Sequence, residues 1–348
     1  MIDFNQAQIK SIAIHRVGSK SREDELQLSS EPTTITDEAT LHLLKTFFLY
    51  PFKQPVFYSF THDVNIQHND ICKFASRAFD NPSQLHEQSI HMAQHLHEVS
   101  GHPNIKFGEL YVVLFEGCVI DGELADALGI FKSESKENFL KVFQTNTNVG
   151  VDAQVGISIN KLDKGCLIFN TEKDLGYKLM VHDKTSASDE ARFWRESFLN
   201  AVPRQDDFYQ TQEHINVCKG FVRQVYNPEN RVERADQVEM LNKTRDFFAE
   251  KENFDIVEFE REVIKEPEVI EAFRDYKEAY QSEMGCNLKD SFSISVDAAK
   301  QAKKVLKSVI KLDKNFHLYI HGDREKVEHG FDEEKRMNYY KLYYNNEA

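Results

Sequence analysis

The chain has 348 residues, 43 Lys/Arg against 57 Asp/Glu for a formal net charge of −14, and 41% hydrophobic residues. That length is long for one core, so two domains are the prior, and the composition excludes a fibrous or disordered chain. No apolar run nears the roughly 20 residues that cross a bilayer, and so acidic a surface excludes a DNA-coating protein unless its charge is segregated in space.

The opening residues, MIDFNQAQIKS, lack the basic-then-apolar layout of a secretory signal. Cys72, Cys118, Cys166, Cys218 and Cys286 are odd in number, widely spaced and form no CxxC pair. They are expected to be free thiols in a reducing cytoplasm, not a disulfide framework or a zinc ribbon.

In chain order, residues 9–17 (IKSIAIHRV) read as an opening strand, and a polar turn followed by ELQLS suggests a hairpin. Thr36 is placed to cap a helix carrying Leu41, Leu44, Phe47 and Phe48, which Pro51 ends. Asn69 or Asp70 opens a second helix. Pro82 starts a third, histidine-rich one, which Gly101 and Pro103 terminate. From Phe107 the pattern turns to strands: GELYVVLFEGCVIDG, then ALGIFKSE, ENFLKVFQTN, VDAQVGISIN, KGCLIFN and YKLMVHD. Their β-branched and aromatic density and regular spacing predict an antiparallel sheet or meander.

Residues 185–189 (TSASD) form the expected boundary, and helical patterning dominates from Glu190 to Gly285, the latter a helix stop. Residues 297–311 then read DAAKQAKKVLKSVIK. Lys300, Lys303, Lys304 and Lys307 recur at i, i+3, i+4 and i+7, one stripe of a helix, with Ala298, Ala302, Val305, Leu306 and Val309 opposite and Asp297 as the expected N-cap. Lys311 extends the stripe if the helix continues. Alternatively the helix ends near Lys307 and a hairpin turns at residues 313–315. Three strands close the chain, NFHLYIHG, KVEHGF and NYYKLYY.

These elements predict an α+β fold: an N-terminal mixed domain with an antiparallel sheet (1–185), a helical region (186–288) and a small C-terminal α/β element (289–348), with 186–348 as one domain the alternative. The last region carries 12 Lys/Arg against 10 Asp/Glu, so basic charge is relatively concentrated there.

Few motifs carry chemistry. His86, His91, His95 and His97 share one helix, and His91 and His95 have metal-ligand spacing, but HExxH is absent. The economical reading is an amphipathic helix with Leu85, Met92 and Leu96 inward. Nucleophile elbows, Walker loops and GxGxxG are missing. NKLDKGC, with Lys161, Asp163, Lys164 and Cys166, reads as a β-turn ending at Gly165. The helix–break–helix rhythm of residues 255–280 presents Glu266, Glu268, Glu271 and Asp275 where a DNA-reading helix would meet phosphates, so it reads as an acidic scaffold. The lysine stripe is either a solvated helix face or a phosphate-contacting ridge. Tyr339, Tyr340, Tyr343 and Tyr344 could stack on bases or pack across strands.

IKSIAIHRVG, GELYVVLF, LDKGCLIFN and above all residues 293–344, SISVDAAKQAKKVLKSVIK through NYYKLYY, make the chain resemble the bacterial nucleoid-associated protein family of the NdpA/YejK type over nearly its whole length. The resemblance implies a cytoplasmic protein found with the nucleoid, with no established enzyme activity or cofactor. It supplies no agreed DNA-contacting residues, so the four lysines are assigned from this sequence alone. The expected function is weak, sequence-independent DNA association through Lys300, Lys303, Lys304 and Lys307, without catalysis, cofactor or membrane. The alternative is an adaptor that reaches the nucleoid through protein partners. A symmetric homodimer is the default assembly.

Overall fold

A strand buried on both faces organises the first half of the computed structural model, which describes residues 2–53, 55–101, 105–184, 193–230, 232–306, 309–320 and 324–346. The chain divides into two compact units, residues 1–204 and 205–348, and the fold is α+β. In the first unit β1 (Ile2–Asp3), β2 (Gln8–Val17), α1 (Glu38–Leu49), β3 (Tyr58–Phe60), α2 (Asp70–Asp80) and α3 (Leu85–Val99) come first. The strands β4 (Gly108–Ile120), β5 (Glu123–Ser133), β6 (Glu137–Gln144), β7 (Val149–Gly156), β8 (Lys164–Phe169) and β9 (Lys178–Asp183) follow, and β10 (Ala201–Pro203) closes the unit.

The sheet is antiparallel and ordered β1-β4-β5-β8-β9-β3-β10, with β2 also paired to β4. The first eight residues of β4 are buried without alternation, because each face meets its own helices. Leu110, Val112 and Leu114 share a core with Ile71, Ala75, Met92 and Leu96 of α2 and α3. Tyr111, Val113 and Phe115 share another with Phe47 and Phe48 of α1. A strand covered on both sides reads as a continuous apolar run, which is why GELYVVLF stands out in the sequence. Gly117 takes φ +76° at the register shift in β4, and a Cβ there would meet the Gln6 carbonyl at 2.7 Å; only glycine fits that bulge.

Local geometry corrects several expectations. Asp37, not Thr36, caps α1, its carboxylate accepting from Thr40 N–H. ELQLS contributes a single bridge, Arg16 to Gln27, instead of a strand. The strand KGCLIFN begins at Lys164 as expected, so the turn before it does not extend to Gly165. Residues 193–198 form a π-helical turn, with buried Trp194 donating to the Gly165 carbonyl (3.2 Å), and Ala201–Pro203 pairs with β3, so this stretch is not wholly helical. The expected boundary at 185–189 lies outside the described residues, as does Pro103; the division into units falls between Arg204 and Gln205.

The second unit runs α4 (Asp207–Gln224), α5 (Arg234–Glu250), β11 (Asn253–Asp255), α6 (Ile256–Phe259, continuing as a π turn to Ile264), α7 (Pro267–Met284) and β12 (Ser291–Ser293). Then come α8 (Val296–Val305) and four strands, β13 (Val309–Leu312), β14 (Phe316–Tyr319), β15 (Val327–Asp332) and β16 (Met337–Leu342). Phe221, Phe247, Phe248, Phe254, Phe259 and Phe273 form its centre, and Ala299, Ala302 and Leu306 of the α8 segment join the same core. Gly285 ends α7 in the left-handed conformation. Inside the scaffold, Glu260 is buried and takes a bidentate pair from Arg274 (2.7 and 2.6 Å), so its acids serve packing as well as surface.

Candidate nucleic-acid interface

Helix α8 begins at Ser295, whose hydroxyl accepts from Ala298 N–H; this corrects the assignment of the cap to Asp297, which sits in the first turn. An acid there still favours the positive end of the helix dipole. Ala298, Ala302 and Leu306 are buried as the spacing required. Lys300, on the other side, is 72% exposed, with Asp297 3.7 Å from its ammonium. An i,i+3 pair at such exposure is weak and leaves the lysine open to competition from a phosphate. Lys303 and Lys304 occupy the same helical stripe by position, their side chains lying outside the described residues, and Lys307 lies outside them altogether.

The ambiguity at Lys311 resolves toward a hairpin. The helix stops at Val305 and β13 pairs with β14 across a turn in which Asp313 takes φ +50°. Cross-strand partners share a face. Ile310/Leu318 and Leu312/Phe316 form one, of which Ile310, Leu312 and Leu318 join a small core with Ala235, Val238, Ile320 and Val327. Buried Asn242 of α5 ties the hairpin's end by donating to the Ile320 carbonyl (2.7 Å). Lys311/His317 and Val309/Tyr319 form the other face, where Lys311, His317 and Tyr319 are exposed. Lys314 is exposed at the turn, and among the described residues neither Lys311 nor Lys314 takes part in an ion pair. Two cations, an imidazole and an aromatic ring therefore follow the lysine helix directly. Sequence reading leaves Lys311 open and passes over Lys314, His317 and Tyr319; the alternation in KLDKNFHLY is the available signal.

The terminal tyrosines mostly pack across their own ribbon. Tyr339 covers Gly330, where a Cβ would collide with the ring, and Tyr340 lies 4.8 Å from the His329 ring. The Tyr343 hydroxyl (2.8 Å) and the Lys341 ammonium (3.2 Å) hold the Glu328 carboxyl below its usual range. Tyr344 is exposed.

The histidine-rich helix is a packing element. Leu85, Met92 and Leu96 face the core. His91 stacks on Phe74 (5.4 Å), His95 reaches the Phe198 carbonyl (3.3 Å), and His86 lies against Ser29 (3.2 Å). Ser29 N–H donates to Nδ1 of buried His15 (3.1 Å), which leaves the proton on Nε2 to be donated to Ser89 Oγ (2.8 Å). Ser89 in turn donates to the His86 carbonyl (2.7 Å). With its Nε2 protonated, His15 is no base toward Ser89, and burial, with His86 beside it, lowers its pKa to about 4. Among the described residues no three His, Cys, Asp or Glu side chains converge as metal ligands, and no helix is long and apolar enough to cross a membrane.

A family model described as nucleoid-associated protein YejK matches residues 13–338. No curated protein matches the chain.

Proposed function

The chain belongs to the nucleoid-associated protein YejK family, and from that premise we propose that it is a non-enzymatic protein of the cytoplasmic nucleoid that contacts DNA phosphates weakly and without reading sequence. Lys300, Lys303, Lys304 and Lys307 carry the contact, extended by Lys311 and Lys314 on the hairpin. The supporting observation is the sorting of α8: Ala298, Ala302 and Leu306 are buried while Lys300 stands open on the opposite side. Phosphate contacts position a protein on a duplex without specifying bases. His317 and Tyr319 add a polar edge and a ring to the same hairpin face. The acidic remainder holds affinity down by repelling the duplex, and a symmetric dimer doubles the contacts.

A second reading has an observation of its own. An adaptor without direct DNA contact needs an apolar surface for protein partners, and the ribbon β6–β7 exposes one. Replacing all four stripe lysines by Glu separates the two. Retention of the purified protein on immobilised DNA at low salt is expected to vanish, with Trp194 fluorescence confirming an intact N-terminal unit. Unchanged retention rejects the lysine site.

A further inference from the structure

The ribbon β6–β7 is a two-stranded sheet separate from the main one, and its faces are unlike. One face carries the cross-strand pairs Leu140/Ala153 and Val142/Val151, flanked by Asn138/Val155 and Gln144/Val149. Its four valines and Leu140 are each 62–73% exposed, and the face holds no formal charge. The other face is aromatic and charged, with Phe139 and Phe143 still 48% and 40% exposed. Phe143 covers Gly150 and Phe139 covers Gly156, where an added Cβ would approach either ring to 2.7 Å, and Lys141 stands opposite Asp152.

The ribbon is rooted firmly. Asp163 accepts from the backbone N–H of Glu134 (2.7 Å) and Ser135 (2.8 Å) and from the Ser135 hydroxyl (2.8 Å). Lys161 pairs with Glu137 at the first residue of β6, and fully buried Lys132 pairs with Glu134 at 2.8 Å. The polar NKLDKGC segment thus supplies the clamp. A lone two-stranded hairpin is marginal in water, and a rooted one with a bare aliphatic face marks an interaction surface.

We propose that a second copy of this chain covers that face. Phosphates gain nothing from uncharged aliphatic side chains, so DNA is the wrong occupant. Two copies of a chain carrying −14 repel wherever charge meets charge, and this face offers none. Its relief is also self-complementary. A two-fold axis running along the strands between two facing ribbons sets Leu140 of each copy over Ala153 of the other, large over small, and Val142 over Val151. Eight residues per strand give a footprint of about 27 by 10 Å, well under the roughly 800 Å² per partner of a standard interface. The dimer is accordingly reversible and concentration-dependent. It gives a surface to the dimer in the reading above and rests on that part of it, but it is tested without DNA.

Sedimentation of the full chain over a wide concentration range is the test. Wild type is expected to pass from monomer to dimer, with V142D and V151K each dimerising at least ten-fold more weakly. An equimolar mixture of V142D and V151K should recover dimer, because the carboxylate introduced in one copy then meets the ammonium introduced in the other; that recovery also shows that both variants are folded. A wild type that stays monomeric, a V142D that associates as wild type does, or a mixture that fails to recover overturns the proposal. DNA retention by monomeric V142D would leave the lysine site standing.

Discussion

Two antiparallel ribbons outside the main sheet, β6–β7 in the first unit and β13–β14 in the second, share a backbone geometry and differ in what they leave outward. The second packs Ile310, Leu312 and Leu318 into a core within its own unit, which turns Lys311, His317 and Tyr319 to solvent. The first finds no such core, and Leu140, Val142 and Val151 stay bare. The contrast teaches that alternation along a strand defines two faces, and the packing of one face decides what the other can meet. Covering the aliphatic face in cis leaves a basic one outward, which the proposed function gives to a polyanion. Leaving it uncovered keeps an aliphatic one outward, which the proposed dimer covers.

The sharpest way to break this comparison is to ask whether the units are built independently, and a buried histidine in each gives the handle. His15 has a pKa lowered to about 4 by burial and His86; His214, between Phe254 (4.3 Å) and Phe292 (5.1 Å), is lowered to about 3 by burial and by Lys277. Between pH 6.5 and these values the unfolded chain takes up a proton that the folded chain refuses. Stability is therefore complete above about pH 6.5 and is lost as the pH falls toward 4. For His15 the loss by about pH 4.5 is about 2–3 kcal/mol. Trp194, the single tryptophan, lies in the same unit, so its fluorescence on denaturant unfolding reports that unit. The His15→Gln variant should be less stable than wild type at about pH 7.5 and show a shallower fall in acid. An identical pH dependence would remove His15 from the account.

A smaller effect sharpens the other side. Changing Lys311 and Lys314 together to Ala should make the salt dependence of DNA binding shallower by a log–log slope of about 1.8, at roughly 0.9 per lost phosphate contact on duplex DNA. An unchanged slope would restrict the interface to the four stripe lysines.

Much of this architecture is written locally. The strands β4 to β9 and the buried side of α8 follow from apolar patterning, and the stop at Gly285 from glycine's ease in the left-handed conformation. Three-residue strands such as Tyr58–Phe60 and Ala201–Pro203 have no period to detect; they exist because their backbones complete the sheet edge. Caps slip by one or two residues at Asp37 and Ser295 because neighbouring Thr36 and Asp297 have the same chemistry, and only backbone geometry chooses between them. The clamp at Asp163 is hidden for a different reason. Lysine and aspartate in a turn look solvated until a distant pair of N–H groups, Glu134 and Ser135, folds onto them. Whether ENFLKVFQ joins the main sheet or leaves it is likewise decided by tertiary pairing, which period-two alternation does not encode.

Direct phosphate contact by the C-terminal lysines is the central claim, and the salt dependence of duplex binding by the purified wild-type chain tests it most directly. Four contacts predict a shift at low salt whose log–log slope is about −3.6 or steeper. No shift at low salt until a second nucleoid protein is added would contradict the claim and leave the adaptor in its place.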